Sequence, residues 1–172
     1  MIVCFGCQKS VDKNGNEMDE AIFTFAFIKK APEATEKQNI DKVIKVYFNE
    51  NDSSLDKGFA IDVANNEIYS DPSWTTLSVD TFDEPMPVNN VQDVLQILEK
   101  YNVQDWKKDY TVENPDDYAD GFSWRLWLQL VDGTVEKHGG SGTEDGITPE
   151  NFDGFAAELE AFVEGKLKDI ED

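Results

Sequence analysis

The stretch from Gly121 to Gly140, GFSWRLWLQLVDGTVEKHGG, leaves the chain little freedom in local structure. Trp124, Leu126, Leu128 and Leu130 alternate with Arg125, Trp127 and Gln129. Successive side chains of a strand point to opposite sides, so this alternation sorts the two sets onto opposite faces. Asp132-Gly133 stands where the alternation stops. An Asp-Gly pair accepts the positive φ angles of the tight turns that match strand twist, and the segment reads as a β-hairpin. A hairpin with one wholly apolar face is unstable alone, so it predicts a larger sheet with something packed upon it.

Shorter patterns supply the rest. AIFTFAFI puts Phe23, Phe25 and Phe27 on one side and predicts a strand. KVIKVYF predicts a half-exposed strand, with Ile44, Val46 and Phe48 opposite Lys45 and Tyr47. In FAIDVANNEIYS the alternation of Phe59, Ile61 and Val63 runs into Asn65-Asn66, a second hairpin signal. Residues 71–89 read as a loop that can include an edge strand, and residues 103–120 as an acidic loop with Trp106 tucked in. Asn89 or Asn90 caps a helix whose stripe is Val91, Val94, Leu95, Leu98 and Tyr101, and Asn102 ends it. Thr148-Pro149 opens a final helix to about Lys168, with Phe152, Phe155, Ala156, Leu159, Phe162 and Val163 inward. Glu150 and Asp153 complement the positive end of its dipole. These elements predict one α+β domain over 1–172: an antiparallel sheet of about five to seven strands with two helices packed on one face. Residues 1–20 form a first strand or a loose N-terminal arm.

Charge bounds the partners. The chain carries 15 Lys+Arg against 36 Asp+Glu, a net −21. Residues 1–86 contribute 8 − 16 = −8 and the remainder 7 − 20 = −13, so the excess is spread along the chain. Such a surface repels phosphate backbones and anionic lipid, which argues against nucleic-acid and membrane binding by charge. It attracts a basic protein surface, and one version of that reading is nucleic-acid imitation. Trp127, Asp116, Asp117, Glu144 and Asp145 are the expected contact residues. The longest apolar-rich stretch, Ala21 to Ile28, is too short to span a bilayer, and no basic n-region precedes the apolar N-terminus, so a cytoplasmic setting is expected.

Motifs that carry chemistry are incomplete. KHGGSGTEDGITPENF looks like a phosphate cradle but lacks the lysine of a Walker loop, and its third glycine, Gly146, falls one place late for a dinucleotide fingerprint. Gly139-Gly140-Ser141-Gly142 has its last glycine one place too early for a nucleophile elbow. The catalytic candidates are His138, Ser141 and Asp120, which with Glu136 define an alternative reading as a hydrolase or metal-dependent enzyme. Cys4 and Cys7 have zinc-knuckle spacing, yet the chain holds no other cysteine and only one histidine to complete a tetrahedral site. Asp12, Asn14 and Asn16 fall in a calcium-loop-like run whose glycine is misplaced for an EF-hand. No cofactor is expected, and the leading reading is a non-enzymatic acidic interaction domain.

VLQILEKYNVQDW, then DGFSWRLWLQLVDGTVEKHGG, then PENFDGF resemble a family of small uncharacterised proteins from anaerobic gut bacteria. The match runs through Leu98 to Val103 and Trp106, then Asp120, Gly121, Ser123, Trp124, Leu126, Asp132, Gly133, Thr134, His138 and Gly139. It ends on Pro149 to Phe152 and Phe155. The resemblance covers roughly residues 90–165 and implies a shared fold without an activity.

Overall fold

The computed structural model describes residues 20–52, 56–70, 72–75, 78–81, 84–111, 121–143 and 145–171. Cys4, Cys7, Asp12, Asn14, Asn16, Asp116, Asp117, Asp120 and Glu144 lie outside the described residues. The strands are β1 (Val43–Asn51), β2 (Asp56–Asp62), β3 (Glu67–Ser70), β4 (Ser73–Trp74), β5 (Val79–Asp80) and β6 (Met86–Pro87), followed by β7 (Phe122–Leu130) and β8 (Val135–Gly142). The helices are α1 (Val94–Lys100) and α2 (Phe152–Glu171). Six strands form an antiparallel sheet in the order β6-β3-β2-β1-β7-β8, and β4 pairs with β5 in a separate ribbon. The α+β architecture read from the sequence is the one adopted.

Turn chemistry decides the connections. Asn66 takes φ 59° between β2 and β3, and Gly133 takes φ 82° between β7 and β8. Asn102 takes φ 49° and stops the α1 region. An amide side chain tolerates this left-handed region better than a branched one. The helix opening at Thr148-Pro149 starts later than expected, at Phe152, with a turn whose Phe152 amide bonds the Pro149 carbonyl at 3.1 Å.

Both helices cover one face. Val46, Phe48, Ile61, Ile68, Trp124, Leu126 and Leu128 from the sheet meet Val94, Ile97 and Leu98 of α1 and Phe152, Phe155, Leu159 and Val163 of α2. Phe48 sits at the centre, its ring 5.7 Å from that of Phe155 and 6.1 Å from that of Phe152.

The opposite face departs from expectation. Residues Glu20–Phe23 and Phe25–Lys30 form 3₁₀ turns instead of the strand that alternating phenylalanines suggested. A three-residue period brings Phe25 and Ile28 to one side, where both are buried against Tyr47, Ala60 and Val135. Phe27 turns outward, 38% exposed. This cover buries the side of β1 that was expected to be half-exposed: Lys45 and Tyr47 are 5% and 0% exposed. Lys45 survives there because it faces Asp62 across the β1–β2 register and forms a buried ion pair with it. Asp62 also accepts from the Asn65 backbone and side chain at 3.1 and 2.9 Å. Trp127, expected to stand exposed, is half-buried in the same layer beneath the Lys137 ammonium, 4.4 Å from its ring centroid.

Candidate functional site

The glycine run is strand, not loop. β8 continues through Gly142, and the chain leading into α2 folds back onto it. The Trp124 indole N–H donates to the Ile147 carbonyl at 2.6 Å. A Cβ on Gly140 would sit 2.2 Å from that carbonyl oxygen, so the glycine is there to let two backbones approach. A phosphate cradle is not built from this segment.

His138 and Ser141, neighbours in the sequence, are separated by the pleat. His138 lies opposite Leu126 on the helix-facing side. Ser141, an odd number of residues on, points to the other face, its hydroxyl 3.5 Å from that of Thr111. His138 is 3% exposed. Its Nδ1 contacts the Lys107 carbonyl and its Nε2 the Glu136 carboxylate, both at 3.0 Å. With both ring nitrogens engaged and the serine on the opposite face, His138 and Ser141 form no nucleophile–base pair. No group of three or more metal-ligating side chains occurs among the described residues either.

The most developed concavity surrounds Asn102. Its left-handed backbone turns the chain from α1 into a 3₁₀ turn, Val103–Asp105, which buries Val103 and leaves Asp105 outside. One cleft of about 480 Å³ is lined by Lys37, Ile40, Asp41, Leu98, Glu99 and Val103. A second, of about 570 Å³, is lined by Tyr101, Trp106, Lys107, Tyr110, Pro149 and Glu150. Both clefts include Asn102 and Asp105 and so adjoin at this turn; the first is lined mainly by polar side chains around Ile40, and the second carries the aromatics Tyr101, Trp106 and Tyr110. The Asn151 side-chain amide donates to the Tyr101 carbonyl at 2.8 Å and ties the start of α2 to the end of α1. Tyr101 donates its hydroxyl to Glu158 at 2.8 Å. The hydrogen bonds that Glu158 accepts from Lys100 and Tyr101 hold its carboxyl below the ordinary range.

Four carboxylates border the groove: Asp41, Glu99, Asp105 and Glu150. Asp105 is paired with Lys37 and Asp41 with Lys42, whereas Glu99 and Glu150 form no ion pair among the described residues. Elsewhere Lys57, Lys100, Lys108, Lys166 and Lys168 each meet a carboxylate. Among the described residues these carboxylates are interspersed with paired lysines, whereas nucleic-acid imitation needs unbroken rows of negative charge.

Of the residues singled out in the sequence, Asp145 is exposed one position before Gly146, which lines the second cleft. Trp127 lies on the opposite sheet face. Sequence reasoning missed the groove itself. Its local signal was present in LEKYNVQDW, where carboxylates and aromatics flank a helix-stopping asparagine. Asp41 and Glu150 come from distant parts of the chain and join it only through packing. No helix of the described residues is long and apolar enough to cross a membrane. Comparison of the chain with protein-family models, with curated proteins and with solved structures found no match, so geometry and charge alone carry the functional reading.

Proposed function

We propose that the protein is a non-enzymatic acidic interaction domain that docks a basic segment of a partner protein in the groove around Asn102. The observation that carries this reading is a pair of adjoining clefts, one lined by Tyr101, Trp106 and Tyr110, that together carry Asp41, Glu99, Asp105 and Glu150. Aromatic lining supplies burial, while carboxylates on the rim select and steer a cationic ligand. The net charge of −21 extends the same attraction to longer range. A catalytic reading centred on His138 has no comparable support, because both ring nitrogens are already bonded.

Titration calorimetry with an Arg/Lys-rich peptide carrying one aromatic residue tests the proposal. Binding is expected at about 50 mM salt and is expected to weaken at least tenfold at about 300 mM, as the Debye length contracts. The double variant Glu99→Lys, Glu150→Lys is expected to lose about tenfold in affinity at low salt. Absence of binding at low salt, or full affinity in the variant, overturns the groove as the docking site.

A further inference from the structure

In a chain of net charge −21, one face of the β7–β8 hairpin gathers positive charge. Strand alternation puts Ser123, Arg125 and Trp127 on the face of β7 turned away from the helices, and the register sets Ser141, Gly139 and Lys137 beside them on β8. Gly139 presents no side chain opposite Arg125, and the Arg125 stem lies along that gap, its Cγ 4.0 Å from where a Cβ on Gly139 would stand. The segment from Lys108 to Thr111 walls the outer side. The Gly139 amide donates to the Lys108 carbonyl at 3.1 Å, and the Tyr110 amide donates to the Gly139 carbonyl at 2.8 Å. The result is a cleft of about 230 Å³ that shares no lining residue with either cleft around Asn102.

Hydrogen-bond donors meet there from several sides. Arg125 is the chain's only arginine, and the buried Asn49 orients it: Asn49 Oδ1 accepts from Arg125 Nη1 at 3.3 Å, while Asn49 Nδ2 donates to Asp56 at 3.0 Å. A guanidinium carries several N–H donors in one planar fork, so it can hold Asn49 and a ligand oxygen together. At one end of the cleft the Lys137 ammonium rests 4.4 Å from the Trp127 ring centroid and forms no ion pair among the described residues. At the other end stand Ser123, Ser141 and Thr111, the hydroxyls of the last two 3.5 Å apart. Neighbouring groups register the field. Burial and the Arg125 charge hold the Lys29 ammonium below its ordinary range, and the bond from Lys108, with the charges of Lys108 and Lys137, holds Glu33 below its own. Asp109 is the one carboxylate among the residues lining the cleft, and it accepts from the Thr111 amide at 2.7 Å.

We propose that this cleft binds a small ligand through a sulfate or phosphate group, with Arg125 and Lys137 as its charge partners and the Ser123 and Ser141 hydroxyls as further donors. A tetrahedral oxyanion turns oxygens in several directions at once, which suits a guanidinium, an ammonium and hydroxyls arriving from different sides; a planar carboxylate uses fewer of them. The cleft is larger than the anion alone, and the space over the Gly139-Gly140 backbone admits a small organic carrier.

The acidic surface sets the size of the ligand. At physiological salt a charge is screened beyond a Debye length of about 8 Å, so the cations within the cleft decide the sign that a small anion meets there. A polyanion extends past that distance and meets the repulsive remainder of a chain with 36 acidic and 15 basic residues.

With one arginine, nitrogen NMR reads the site through a single guanidinium Nε–H signal. Sodium sulfate, titrated against chloride at constant ionic strength, is expected to shift that signal together with the Gly139 and Ser141 amides and to saturate with a midpoint of about 1–10 mM. Acetate is expected to bind at least about fivefold more weakly, having fewer oxygens to offer. Phenyl sulfate binding tighter than inorganic sulfate assigns the site to a carried group, and equal binding assigns it to the free anion; both support it. Arg125→Lys keeps the charge but loses the fork, and Lys137→Gln loses a charge; each is expected to weaken sulfate about tenfold. Asp109→Asn removes the opposing charge while its side-chain oxygen still accepts from Thr111, and is expected to tighten sulfate about threefold, a gain that a merely structural role would not give. Both Lys137→Gln and Asp109→Asn leave the Arg125–Asn49 bond in place, so they decide the matter even where Arg125→Lys fails to fold. Shifts that stay linear to about 50 mM sulfate overturn the proposal. So does an unchanged affinity in Lys137→Gln or Asp109→Asn, and acetate binding as tightly as sulfate overturns the choice of a tetrahedral group.

Discussion

Gly140→Ala isolates the close approach that replaces the expected phosphate loop. A methyl group at that position would lie 2.2 Å from the Ile147 carbonyl oxygen, 2.8 Å from Trp124 Nε1 and 2.9 Å from Tyr110 Cβ. Contact between unbonded heavy atoms begins at about 3.5 Å, so the Ile147 carbonyl must retreat by about 1 Å. Two of the three atoms are backbone or rigid ring, and none is the far end of a flexible side chain. Retreat breaks the 2.6 Å indole-to-carbonyl bond, worth about 1 kcal/mol net. Overpacking of a filled site adds about 1–3 kcal/mol, for a total near 2–4 kcal/mol. For a chain of 172 residues that corresponds to a fall in Tm of about 4–16 °C. Gly165→Ala is the matched control, since nothing lies within 4 Å of a methyl group on that turn of α2. There the same change is expected to stabilise by about 0.5–1 kcal/mol, because alanine is the better helix former. Thermal unfolding followed by tryptophan fluorescence measures both. A Gly140→Ala protein within about 0.5 kcal/mol of the parent would refute the claim that the glycine run exists for backbone approach.

Asp62→Ala leaves the buried Lys45 ammonium without its carboxylate and is expected to cost about 3–5 kcal/mol in urea unfolding, while Lys45→Met combined with Asp62→Leu is expected to recover most of that loss. A single variant no worse than the double variant would show that the pair is not desolvated as described. Carboxyl NMR titration is expected to find Glu158 below the ordinary carboxyl range, because Lys100 and Tyr101 bond its charged form, and Tyr101→Phe is expected to move it part of the way back. The sign follows from the depressed folded value: this carboxylate stabilises the fold above the ordinary carboxyl range and ceases to do so as pH falls through its folded titration. Titration of Glu158 within the ordinary carboxyl range, or no change in Tyr101→Phe, would count against those bonds.

Features that depend on neighbouring residues alone were legible without the structure. The alternation from Trp124 to Leu130, the Asp132-Gly133 turn and the positive φ of Asn66 and Asn102 are statements about one strand or one dihedral, and each appears where its residues put it, whereas Asn90, expected as a helix cap, takes φ 54° and makes no side-chain cap bond. The helical stripes ending in Tyr101 and opening with Phe152 likewise named their own buried faces, which is why the placing of both helices on one side of the sheet agrees with the pattern. The segment from Glu20 to Lys30 marks the boundary. Its phenylalanines alternate as a strand would, yet Phe25 and Ile28 gain more by covering the second face of a sheet that already has its strands. Periodicity reports how a segment can bury itself, not against what. The same limit applies to β1, whose polar Lys45 reads as solvent-facing until Asp62 is placed across from it. It applies to His138, whose partners Lys107 and Glu136 arrive by an edge contact and by the pleat. The clefts around Asn102 combine carboxylates from three separate parts of the chain, and only tertiary packing could bring Asp41 and Glu150 to Glu99 and Asp105, because charge along a sequence carries no information about which distant side chains will share a rim.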